Sequence, residues 1–162
     1  EPRLMPWLSV ENNILFPFLP GGRQKEMHQK ALEILKMLEL EGYENAMPHQ
    51  LSGGMAQRVA LGRALSCDPE IVLMDEPLGA LDYFTRRALQ RELVRIYLQG
   101  GKTFLMVTHD VGEALRMGTS VLVLKNGMIE ASIPVPLEYP RDRHCETFQA
   151  LLDRVLTALD DA

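Results

Sequence analysis

The chain has 162 residues, 46% of them hydrophobic, enough for one compact domain or for one domain with a tail. A net charge of −5 and a pI near 5.4 exclude a nucleic-acid groove, which needs clustered Lys and Arg to neutralise phosphates. No uninterrupted apolar stretch approaches the ~18–20 residues that span a bilayer, and no basic segment followed by an apolar run opens the chain.

Residues 4–20 are apolar but broken by Pro6, Pro17 and Pro20, so a loop with one short helix over 10–15 is expected there, ending at Pro20-Gly21-Gly22. From Lys25 the spacing of Met27, Ala31, Ile34, Leu35 and Leu38 predicts an amphipathic helix that Gly42 stops. A second helix starts with Ser52 as its N-cap and stops at Asp68-Pro69. Residues 71–74 form a short apolar run without alternation, which reads as a strand buried on both faces of a parallel sheet. Asp82 caps a helix to about residue 99, with Leu89, Leu93, Ile96 and Tyr97 turned inward. Residues 103–108 are the next strand, and Asp110 with Glu113 has the spacing of a capping box for a short helix ending near Gly118. Asn126-Gly127 between two apolar runs signals a hairpin, because that pair favours the turn that matches strand twist. After Pro134, Pro136 and Pro140, residues Phe148, Leu151, Leu152, Val155, Leu156 and Leu159 recur at helical spacing, as in a tail helix packed on the domain. Strands alternating with helices argue for an α/β layer architecture. Cys67 and Cys145 stand far apart without metal-ligand spacing and suit a reducing compartment.

Two segments carry chemistry. In Leu51-Ser52-Gly53-Gly54-Met55-Ala56-Gln57-Arg58 the glycines let backbone N–H groups come close to phosphate oxygens, and the helix that starts there aims the positive end of its dipole, about half an elementary charge, at the same spot. Asp75 and Glu76 end an apolar run, where acids are costly unless a cation or donors offset them, and pleat alternation sends the two to opposite sides. The triplet Gly101-Lys102-Thr103 is a decoy for a phosphate loop. Ile96 occupies the position of that loop's first glycine, so the triplet reads as a helix end followed by a strand.

In this order, Leu51-Ser52-Gly53-Gly54, Ile71-Val72-Leu73-Met74-Asp75-Glu76-Pro77, Gly79-Ala80-Leu81-Asp82 and Thr108-His109-Asp110 resemble the ATPase domain of ATP-binding-cassette (ABC) transporters, a likeness running from Pro6-Trp7 to about Ile129. The resemblance implies a partial P-loop NTPase (ABC ATPase) α/β fold, a mainly parallel sheet with helices plus a helical subdomain. Residues 1–50 are then the helical subdomain and membrane-subunit docking region, 51–133 the C-terminal part of the ATPase core, and 134–162 a C-terminal tail helix. Trp7, Leu8, Ile14 and Phe16 either line the groove for a membrane subunit's coupling helix or belong to the core.

The resemblance also implies the roles of the site residues. Asp75 helps to hold Mg²⁺, Glu76 orients or deprotonates the water that attacks the γ-phosphate of ATP, and His109 is the switch histidine. Ser52, Gly53 and Gly54 contact the γ-phosphate of ATP held by the opposite subunit's phosphate loop, Met55 replaces a commoner Gln, and Asp82 crosses the dimer interface. Hydrolysis then requires a head-to-tail dimer. Implied partners are a second ATPase subunit, transmembrane permease subunits and, indirectly, a periplasmic or extracellular substrate-binding protein, at the cytoplasmic face of the membrane and without nucleic acid. The flanking sequences, Glu1 to Trp7 and Pro140-Arg141-Asp142-Arg143, together with Met55, look like those of importers of nitrate, sulfonates or taurine. The family's G-x-x-x-x-G-K-[ST] loop has no counterpart in the 162 residues. The expectation is the C-terminal portion of a longer polypeptide, with a non-hydrolysing docking module that keeps the signature as the alternative.

Overall fold

The computed structural model describes residues 3–21, 24–79 and 81–160; Glu1, Pro2, Gly22 and Ala80 of the segments singled out above lie outside the described residues. The chain divides into two compact units, Glu1–Leu105 and Met106–Ala162.

In the first unit, helix α1 (Val10–Ile14) is capped by the Ser9 hydroxyl, which accepts from the Asn12 N–H. The buried Asn13 accepts from the Met5 N–H at 2.7 Å and donates to the Met5, Leu8 and Ser9 carbonyls, so one amide side chain ties down the Pro-Trp loop. Trp7 is left exposed on that loop, and Phe16 is exposed in the 3-10 helix Phe16–Gly21. Ile14 is fully buried, so of the two readings left open for it the core is the one observed.

Helix α2 (Gln24–Met37) buries Ala31, Ile34 and Leu35 and ends well before Gly42. Glu39 takes the left-handed conformation at φ 55°, with the Leu40 N–H on the Leu35 carbonyl and the Glu39 N–H on the Lys36 carbonyl. Two distant arginines complete this cap: Arg58 donates to the Leu38 carbonyl at 3.1 Å and Arg95 to the Met37 carbonyl.

Helix α3 (Gly53–Ser66) packs on α1 and α2, and helix α4 (Tyr83–Leu98) buries Leu89, Leu93 and Ile96. Strand β1 (Ile71–Asp75) pairs with β2 (Thr103–Val107) in a two-stranded sheet, made parallel by the crossover through α4. The expectation that β1 is buried on both faces is corrected here. Val72 is buried, whereas Ile71 and Leu73 are 59% and 72% exposed and Leu105 on β2 is exposed as well, because nothing among the described residues of this unit packs on that face. Lys102 is committed to the Asp68 carboxylate and the Pro69 carbonyl, the structural role expected of the decoy triplet.

In the second unit, helix α5 (Val111–Met117) is followed by strands β3 (Ser120–Lys125) and β4 (Met128–Pro134), an antiparallel hairpin. Asn126 and Gly127 both have positive φ, 49° and 78°, as the hairpin turn requires. Helix α6 (Glu146–Asp160) lays Phe148, Leu151 and Val155 on Leu115, Val121, Val123, Ile133 and Val135. Leu156 and Leu159, expected inward, are 40% and 43% exposed; a stripe that wide exceeds the face the hairpin offers. Arg141 stitches the proline-rich link to this core by donating to the Leu115, Gly118 and Leu137 carbonyls while lying over the Tyr139 ring.

Candidate functional site

Ser52 caps α3: its Oγ accepts from the Met55 N–H at 3.3 Å, which leaves the hydroxyl's own proton for another acceptor. Ser52 and Gly53 are exposed at the N-terminus of this 14-residue helix. The two glycines, read alike in the sequence, differ in the structure. A Cβ at Gly53 would meet nothing within 4 Å, whereas a Cβ at Gly54 would lie 2.1 Å from Cγ2 of Thr85 on α4. Gly54 is thus required by helix packing, and only Gly53 is free of any internal reason to lack a side chain.

Replacing Gly54 by Ala is therefore expected to destabilise the fold by about 1–3 kcal/mol through overpacking. Adding Thr85→Ser, which removes the clashing methyl and keeps the hydroxyl, should recover most of the loss in a thermal-melting double-mutant cycle.

Asp75 closes β1 and is exposed; Glu76 follows with φ 45°, a left-handed conformation that takes the chain out of the strand. The Gly79 N–H returns to the Glu76 carbonyl at 3.3 Å, and the Glu76 carboxylate reaches back toward Gly79, Oε2 standing 3.6 Å from where a Cβ would sit. Leu78, buried in the same turn, anchors it. The turn also touches α3, since Gln57 Nε2 donates to the Pro77 carbonyl at 2.6 Å. Nothing in the sequence pattern singles out Gln57 for a role. The available signal is its place one turn after Gly54, on the side of α3 that faces the acids.

Asp82 is the N-cap of α4, its Oδ1 accepting from the Phe84 and Thr85 N–H groups at 3.0 and 3.1 Å. Hydrogen bonding by Thr85, first through its hydroxyl and then through its amide, holds this carboxyl below the usual carboxylate range. With the folded value depressed, the stabilisation of the start of α4 is fully present above the ordinary aspartate value of ~3.9 and is lost as pH falls through the lowered value. A carboxyl-carbon titration by NMR should place the Asp82 midpoint below that value, and Thr85→Val should raise it. Tyr83 and Phe84, 61% and 82% exposed, stand edge to face beside Asp82.

His109 lies in the second unit, exposed in a turn pinned on both sides. The Thr108 hydroxyl donates to Glu113 at 2.7 Å and accepts from the Asp110 N–H, while the Asp110 carboxylate accepts from the Glu113 N–H at 2.8 Å. In the first unit the starts of α3 and α4 approach each other at Gly54 and Thr85, and the turn after Glu76 is tied to α3 through Gln57; the second unit presents His109.

The profile of the ABC transporter family matches residues 1–79. The chain is 43% identical, over 99% of its length, to the aliphatic sulfonates import ATP-binding protein SsuB of Bacillus subtilis, and 46% identical over 98% to the uncharacterized ABC transporter ATP-binding protein MJ0412 of Methanocaldococcus jannaschii. It spans 63% and 60% of those two proteins, about three fifths of their length. Among solved structures it is similar to the ATP-binding cassette MJ0796 in a dimeric post-hydrolysis state bound to ADP and Pi, with a TM-score of 0.69 and 38% identity over 85% of this chain and 61% of that one. The chain belongs to the ABC transporter ATP-binding family and has the ABC ATPase fold, a parallel α/β sheet with a helical subdomain, over the length it spans.

Proposed function

We propose that the chain acts in an ATP-hydrolysing subunit of an ABC importer, in which Ser52 and Gly53 close on the γ-phosphate of ATP held by a second subunit. The observation that carries this reading is the contrast at the start of α3: Gly54 is accounted for by Thr85, while Gly53 is open, exposed and set on the positive end of a helix dipole beside a serine with a proton to spare. In this reading the triphosphate that Ser52 and Gly53 meet is the one cradled by the second subunit's phosphate loop. Support for a dimer comes from the MJ0796 cassette, solved in dimeric form.

Within the chain's own half of such a site, Glu76 orients the attacking water and His109 holds it against the γ-phosphate, while Asp82 crosses to the second subunit. Asp75, an exposed carboxylate at the end of β1, suits Mg²⁺, which is held by one or two carboxylates together with phosphate oxygens and water. Mg²⁺ when bound would neutralise charge developing on the phosphoryl oxygens. No described helix is long and apolar enough to cross a membrane. Coupling to transport runs through permease partners in this reading, with exposed Trp7 and Phe16 on the docking face. The cargo class that best suits the relatives is a sulfonate or a similar small anion.

The test is complementation in trans. The 162-residue chain is added to an ABC cassette with an intact phosphate loop whose own signature serine and glycine have been replaced. Restored ATP hydrolysis is expected; no gain over the crippled cassette alone would count against the reading.

A further inference from the structure

Glu76 keeps a left-handed backbone, a conformation that persists in a non-glycine residue only where neighbouring contacts hold it. The next carbonyl, that of Pro77, is gripped from outside the turn by Gln57 across 20 residues of sequence, at 2.6 Å and partly buried. Gln57 belongs to α3, whose first turn carries Ser52 and Gly53 and is wedged against Thr85 through Gly54. Thr85 in turn hydrogen-bonds Asp82. A movement of the start of α3 therefore acts on the acid turn through one side-chain amide and on the Asp82 cap through one van der Waals contact.

We infer that Gln57 is a positioning residue: its amide fixes the Glu76–Pro77 turn and transmits engagement of the Ser52–Gly53 surface to Glu76 of the same chain. This rests on the proposed reading that Ser52 and Gly53 meet a second subunit's nucleotide. The coupling runs from a contact made in one composite site to an acid that serves the other, because the signature reaches across the interface while Glu76 acts beside its own chain's half. The chemistry of the Gln57 side chain fits this role, since an amide N–H can hold a carbonyl at short range and its loss frees the turn without removing any apolar packing.

The test is amide hydrogen exchange on the full 162-residue chain, alone and mixed with the loop-bearing, signature-replaced cassette and a non-hydrolysable ATP analogue. For the wild-type chain, protection should rise both at residues 52–55 and at residues 77–81. With Gln57→Leu, exchange at the Gly79 and Leu81 amides should rise several-fold to about tenfold in the chain alone, the factor a neutral hydrogen bond is worth. In the mixture, residues 52–55 should still be protected and residues 77–81 no longer so. Gln57→Lys, which keeps an N–H donor at similar reach, should restore the coupled protection, whereas Gln57→Glu, which sets a carboxylate against the carbonyl, should not. The inference is overturned if Gln57→Leu leaves residues 77–81 responding as in wild type, or if Lys and Glu behave alike. If wild type gains no protection at residues 52–55, the composite-site reading fails first and the coupling with it, an outcome distinct from a failure confined to residues 77–81.

Discussion

Glu76→Gln is expected to lower ATP hydrolysis about 10²- to 10⁴-fold, the range for removing a positioned general base, while leaving ATP binding and the fold unchanged. The measurement is kcat in a chimaera that joins a G-x-x-x-x-G-K-[ST] segment from an ABC cassette to the start of this chain. The magnitude follows from the turn geometry. Glu76 is held in a left-handed conformation with its carboxylate folded toward Gly79, on a turn anchored by Leu78 and gripped by Gln57. A glutamine is nearly isosteric and fits the same turn, so what is lost is the carboxylate's ability to accept the proton of the attacking water. Phosphoryl transfer asks little covalent work of the protein, so the loss of one well-placed oxygen is felt in kcat rather than in KM. A kcat within threefold of wild type would remove Glu76 from the chemistry.

Gly53→Asp should reduce hydrolysis about 10²- to 10³-fold in the trans-complementation assay, the scale for losing a preorganised anion-binding donor set. A Cβ added at Gly53 meets no atom of the described residues within 4 Å, so melting should change little. Its carboxylate would, however, stand where the γ-phosphate of the second subunit's nucleotide belongs, repelling it and filling the approach of the backbone N–H groups. Gly54→Ala is the control: it should fail through packing on Thr85, with a shifted melting temperature, and be repaired by Thr85→Ser. If Gly53→Asp and Gly54→Ala lost activity with the same stability change, the division between a ligand-facing and a packing glycine would be refuted.

Local chemistry made much of this molecule legible. Ser52, Asp82 and Asp110 each cap the helix that follows because a short acceptor side chain beside the first free amides needs no tertiary help. Asn126-Gly127 turns the hairpin for the same reason, its two positive φ angles being a property of those residue types. The strands and helices around them follow from apolar spacing. What sequence hid depends on partners far along the chain. Helix α2 stops at Met37 because Arg58 and Arg95 reach its last carbonyls, so the expected stop at Gly42 came from the strongest local breaker and missed the tertiary cap. The apolar run at 71–74 looked two-sided because periodicity reports what a strand is suited to, not how many layers cover it; Ile71 and Leu73 are exposed in this chain.

The candidate site divides in the same way. Its residue types were readable in order along the chain, and their reasons were not. Gly54 carries a packing demand from Thr85, 31 positions on, that its place beside Gly53 does not reveal. Gln57 went unnoticed because its partner is a backbone carbonyl, which leaves no trace in residue type.

The most direct test uses ATP bearing a photoreactive group on its γ-phosphate, loaded on the phosphate loop of a signature-replaced cassette and irradiated with this chain. Covalent label is predicted on the peptide containing residues 51–55, and Gly53→Asp should abolish it. Label confined to the loop-bearing cassette, or label on this chain anywhere but that peptide, would contradict the account.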